Sequence, residues 1–165
     1  MPSAARRTRL APAIDIVIDS SLWRREPQAA AVIRRAVGEA AEMAGAAAGP
    51  SEVAVMLCDD AAMRELNTRW RGRPEPTNVL SFPAAGRTGT LGDLAIAYET
   101  TAREAEAEGK PFADHLAHLA VHGFLHLLGY DHQSDAEAVA MERLEVTILA
   151  RLGVADPYAK DGTAT

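Results

Sequence analysis

Cysteine is nearly absent from this chain. Cys58 stands alone among 165 residues, so no internal disulfide can brace the fold, and its apolar neighbours mark it as a buried, inert thiol. Such usage fits a reducing compartment. Aromatic residues are also scarce, at 5%. Together with heavy use of alanine, that favours helices over an all-β architecture. No apolar run approaches the roughly 20 residues of a membrane span. The basic N-terminus is followed by a stretch broken by Asp15 and Asp19, which is no signal-peptide core. A cytoplasmic protein without a membrane association or a disulfide partner is expected. Positive charge is in deficit too: 17 Lys and Arg face 23 Asp and Glu, a net of −6. Indiscriminate electrostatic binding of nucleic acid is therefore disfavoured. A local basic rim is still available, because Arg64, Arg69, Arg71, Arg73 and Arg87 crowd one stretch while Glu99, Glu104, Glu106 and Glu108 crowd another.

What is present is enough for one domain with a proper core. Residues 1–12 and 156–165 read as a disordered and a frayed tail, leaving a single domain over 13–155. IDIVID (14–19) alternates like a strand, and EVAVMLC (52–58), apolar on both faces, reads as a central one. TNVLSFP (77–83) lies between prolines as a third strand, and DLAIAY (93–98) follows a glycine-rich turn as a fourth. Helices are expected from Pro27 to about Ala44, after Asp59 or Asp60 to near Gly72, and after Thr100 or Thr101. Two more should run from Phe112 to Leu128 and from Ser134 or Asp135 to about Leu152. About four strands and about five helices in this order predict an α+β (mixed α/β) domain with a mixed sheet.

The chemistry is concentrated in HGFLHLLGYDH. His122 and His126 lie four apart and share one helix face. Gly129 offers the left-handed conformation that ends a helix, so the chain can turn through Tyr130 and Asp131 and bring His132 to the same point. Three imidazoles with a fourth position open describe a catalytic zinc better than a structural one. His118, about 6 Å along the helix from His122, is a candidate for supporting a ligand or lining the cleft, whereas His115, about 16 Å from His126, is too distant. Asp131 could fix a ligand's tautomer through its distal nitrogen or merely stabilise the turn. Gly123 could let substrate approach the metal or could be a packing glycine. Asn78 and Ser81 are candidates for touching substrate from the third strand. The same histidine spacing occurs in metzincin peptidases, but these carry a glutamate base directly after the first histidine, where this chain has Gly123.

HGFLHLLGYDH also matches, at each fixed position, the H-G-x-L-H-L-x-G-Y-D-H signature of the YbeY family of rRNA maturation factors, which are zinc-dependent endoribonucleases. Further resemblance lies in LNTRWRGRPEPTNVLSFP (66–83), LGDLAI (91–96) and MERLEVTIL (141–149), covering about 100 residues in the family's order. The resemblance implies one Zn2+ per chain on His122, His126 and His132, with His122 and Arg71 as the catalytic residues. Arg69 and Arg73 remain alternatives for the family's arginine. It further implies single-strand-specific cleavage of pre-rRNA near the 3′ end of small-subunit rRNA, ribosome quality control, and association with the small ribosomal subunit and its proteins. Arg71 would offer a planar fork to phosphate. The nucleophile, water or the RNA's own 2′-hydroxyl, stays open. Two other classes compete: a non-catalytic zinc-bearing assembly factor, which a fourth protein ligand would favour, and a metzincin-like peptidase lacking its glutamate.

Overall fold

Val53, Val55 and Leu57 alternate with Ala54, Met56 and Cys58, so one strand supplies side chains to two opposite faces of a sheet. In the computed structural model, which describes residues 12–45 and 51–159, that strand is β2 (Glu52–Cys58). It lies inside a four-stranded sheet of order β1-β2-β4-β3, where β1 is Ala13–Ile18, β3 Val79–Pro83 and β4 Thr90–Ala97. β1, β2 and β4 run parallel, and β3 returns antiparallel on β4. The central place expected for 52–58 and the mixed α+β architecture are both observed.

Five helices cover the sheet: α1 (Ala29–Met43), α2 (Asp60–Arg71), α3 (Tyr98–Ala107), α4 (Phe112–Leu127) and α5 (Asp135–Arg151). A single 3-10 turn, Ser21–Arg25, precedes them and was not anticipated. It buries Trp23, whose indole N–H donates to the Cys58 carbonyl at 2.8 Å and whose ring meets Tyr98 and Phe112 edge-on. Alanines at 36, 40 and 41 on the buried stripe of α1 allow the close approach to α4 that unites the larger core. α4 buries ten of its sixteen residues, so only one side of it is open. Leu116, Val121, Phe124 and Leu125 are fully buried there, each stabilising the fold by roughly 1.5–3 kcal/mol. A smaller core on the opposite face gathers Cys58, Met63, Leu80, Ala95 and Ala97 beneath α2. Burial, with Asp59 and Asp19 nearby, pushes the Cys58 thiol up to about 12, in keeping with an inert group.

Local differences from the sequence reading have identifiable causes. α3 begins at Tyr98, directly from β4, because Thr100 is engaged elsewhere: its N–H and hydroxyl both donate to Asp60 Oδ1, at 3.1 and 2.8 Å. Of the candidate caps, Asp59 and Ser134 take the role, each accepting an N–H of the first turn. The expected tail at 1–12 lies outside the described residues except for Pro12, which is buried. In the expected tail at 156–165, residues 156–159 form a turn that folds back on α5 through Tyr158, and the remainder lies outside the described residues.

Gly92 marks where the β2–β4 register slips: Glu52 faces Thr90 while Val53 faces Gly92. Its φ of +136° suits only glycine, and a Cβ there would lie 2.3 Å from the Phe82 carbonyl oxygen and 2.9 Å from Leu127 Cδ2. Gly92→Ala is expected to destabilise the protein by about 2–4 kcal/mol. Chemical denaturation measures this, and an unchanged midpoint would contradict the packing described.

Candidate metal centre

α4 ends in a Schellman turn. The Gly129 N–H donates to the His126 carbonyl at 3.0 Å and the Tyr130 N–H to the Leu125 carbonyl at 3.1 Å, with Gly129 at φ +99°. The reversal brings His132 back over the helix end. Its ring centroid lies 5.3 Å from that of His126 and 6.2 Å from that of His122. One nitrogen from each of His122, His126 and His132 falls within 4.8 Å of the other two. The Nε2 atoms of His122 and His126 are 3.1 Å apart, close to the roughly 3.3 Å edge of a tetrahedron with 2.0–2.1 Å metal–nitrogen bonds. The negative end of the α4 dipole also favours a cation there.

The arrangement fixes the tautomer. His122 Nδ1 donates to Glu145 Oε1 at 2.5 Å, which leaves Nε2 as a lone pair aimed at His126. Burial, then the neighbouring His122 and His132, holds His126 below the usual imidazole range, which favours its neutral form. The two Nε2 atoms face each other closely enough to share a proton or a metal ion, and the trio fits a divalent metal.

Glu145 was not singled out from the sequence. It is fully buried between α4 and α5, with Tyr158 donating its hydroxyl to Oε2 and His118 Nε2 lying 3.4 Å from the same oxygen. Burial opposes its ionisation, but the hydrogen bonds from His118, His122 and Tyr158 outweigh that and hold it at about 2. Its own burial, then the contact with Glu145, pushes the Tyr158 hydroxyl upward, so it remains a donor. His118, His122 and Glu145 also converge, but this second set is a hydrogen-bonded network. A separation of 2.5 Å is too short for two ligands of one tetrahedral ion. A signal for Glu145 existed: it shares the buried stripe of α5 with Met141, Ile148 and Leu149, where a lone carboxylate demands a partner. Tyr158 had no comparable signal.

The other expected residues separate cleanly. Asp131 accepts the His132 N–H at 2.8 Å and lies 3.8 Å from that ring's Nδ1, so it holds the turn; Glu145 has the tautomer-fixing place considered for it. Gly123 faces the sheet, 3.0–3.3 Å from Leu94, Val79 and Ser81 by its missing Cβ, and is a packing glycine. Its carbonyl accepts the Ser81 hydroxyl at 3.0 Å. Ser81, Asn78 and Arg71 all line a cleft of about 700 Å³ that also contains the three histidines, His118 and Tyr158. Asn78 is tied to Glu104 at 3.0 Å. Among the described residues, Arg71 keeps only a 3.5 Å contact to the Ser81 carbonyl, and neither Arg69 nor Arg73 reaches the cleft lining.

Comparison with known proteins shows the family. The family profile described as Endoribonuclease YbeY matches residues 18–153. Curated relatives of that name include one from Rhodopseudomonas palustris, 56% identical over 93% of this chain and 94% of its own length. Another, from a Bradyrhizobium species, is 57% identical over 90% of this chain and 93% of its own. The solution structure of TM1509 from Thermotoga maritima matches the fold with a TM-score of 0.57 and 22% identity, covering 89% of this chain and 99% of that one.

Glu145→Gln keeps the volume but replaces the acceptor for His122 with an amide. Divalent-metal affinity, read by chelator competition, is expected to fall about 10–100-fold. Unaltered affinity in a folded variant would remove Glu145 from the centre's support.

Proposed function

The chain belongs to the endoribonuclease YbeY family, and from that membership we propose that it hydrolyses RNA with one zinc ion held by His122, His126 and His132. The convergence of three imidazoles beside Arg71 in one cleft is the observation that supports this reading most. Among the described residues no fourth histidine, cysteine or carboxylate joins the trio, as a catalytic site with an exchangeable position requires.

Zinc, when bound, supplies Lewis acidity toward a phosphoryl oxygen and lowers the pKa of a coordinated water. The chain's own residues do the rest. Glu145 keeps the His122 ring oriented, with its Nε2 lone pair directed into the cleft. Arg71, an exposed side chain with one weak contact, has most of its five donors free for non-bridging phosphate oxygens, where charge accumulates in the transition state. Asn78 and Ser81 lie on the wall where the ribose would rest. The peptidase reading loses its base, because the position after His122 is glycine packed on the sheet and Glu145 sits behind the ring with its oxygens already engaged.

The substrate is single-stranded rRNA precursor, cut near the 3′ end of small-subunit rRNA in the cytoplasm during ribosome maturation and quality control. The acidic net charge of −6 suits a nuclease brought to its RNA by the small subunit and its proteins over one that binds RNA at large. For the described residues, no helix is long and apolar enough to cross a membrane.

Purified protein, with metal content measured on each sample, should cleave a single-stranded RNA oligonucleotide. His126→Ala is expected to lose both zinc and cleavage. Arg71→Ala is expected to keep zinc and lose about 100-fold in kcat. Zinc-loaded protein that cuts nothing, or equal residual cutting by all three, would overturn the nuclease reading and leave a zinc-bearing assembly factor.

A further inference from the structure

Trp70 is 64% exposed in a chain with few aromatic residues, and its ring stands edge-on to Phe82 at 6.2 Å. Both line a groove of about 790 Å³ on the sheet face opposite α4, where α2 stops short of covering Ala54 and Met56. An exposed indole over a sheet face is an unfavourable place to leave apolar surface unless something uses it. The groove adjoins the histidine cleft, since Arg71, Ser81 and Pro83 line both. β3, an edge strand, is the wall between them.

We propose that this groove is a base-stacking subsite, in which a nucleotide next to the cleaved phosphate stacks its base on Trp70, whose ring Phe82 supports edge-on. The proposal rests on the RNA-hydrolase reading above. Adjacency to the cleft and charge select the occupant. A strand leaving the histidines must cross β3, and the crossing is guarded by the Arg71 guanidinium, which suits a phosphodiester. Arg87 stands on the far rim, and Asp93, the one carboxylate of the lining, is paired with it at 3.3 Å. An exposed aromatic ring beside a free guanidinium is the arrangement that holds single-stranded RNA without reading its sequence, because every base has a stacking face. A subsite of this kind would give an acidic protein purchase on RNA without a basic surface. It would also favour single strands, since a paired base cannot leave its stack to enter the groove.

The test pairs two removals. Abasic substitutions are walked along a short RNA substrate, and steady-state kinetics are measured for zinc-loaded wild type, Trp70→Ala and Trp70→Phe. One abasic position is expected to raise the wild-type KM about tenfold, with kcat moved far less. Trp70→Ala should show the same rise on the intact substrate and none further on the abasic one, the non-additivity of two groups in contact. Trp70→Phe should recover most of the loss. Tryptophan emission adds a direct readout, because Trp23 is 2% exposed and Trp70 dominates what a ligand can quench. Wild type that cuts RNA while Trp70→Ala behaves identically and RNA leaves the emission unchanged overturns the subsite alone, keeps the nuclease and leaves the groove to a protein partner. Wild type that neither cuts nor binds RNA overturns both.

Discussion

The carboxylate of Glu145 lies without water contact in the seam between α4 and α5, where an ionised group is tolerated only while its oxygens hold donors. Its donors come from separate parts of the chain. His122 and His118 belong to α4, and Tyr158 comes from the turn after α5. Satisfying one buried charge therefore sets the rotation of α4 about its axis, the height of α5 beside it, and the path of the chain end. The face that His122 turns to the cleft is the opposite side of the same ring. Orientation of the cleft and solvation of the buried acid are one requirement.

α4 must meet a second constraint, from the sheet. Gly123 lets the helix come so near Leu94 and Val79 that an added methyl would already crowd both. The ligand-bearing side of α4 is thus held at a fixed distance from β3, and β3 in turn carries Ser81 and Pro83 past the C-terminal end of α2 with Arg71. Three elements distant in sequence meet at one wall. Gly92 serves the same wall from β4, since only a residue without a side chain fits beneath the Phe82 carbonyl.

Periodic burial is what a sequence displays, and where it governs, the reading succeeded. The two-faced pattern of 52–58 identified an interior strand, and the spacing of His122, His126 and Gly129 described a helix end that the Schellman turn realises. Long-range satisfaction of polar groups has no such periodicity. Thr100 looked like a helix cap and instead serves Asp60, forty residues away in the chain. Asp131 looked equipped to orient a histidine because it is adjacent in sequence, whereas the group in that place is Glu145, from the following helix. Tyr158 fell in a segment read as a tail because nothing local required it to be ordered. Strand order and the antiparallel return of β3 belong to the same class, being set by which faces need cover.

The burial of Cys58 has a bearing on oxidative stress. Many zinc proteins are disarmed by peroxide because their ligands include thiolates, which are oxidised and release the metal. The proposed ligand set here contains no sulfur, and the chain's one thiol lies beneath α2 with its ionisation pushed up to about 12, far from the reactive anion. Oxidants that inactivate cysteine-dependent enzymes would find no thiolate in this cleft.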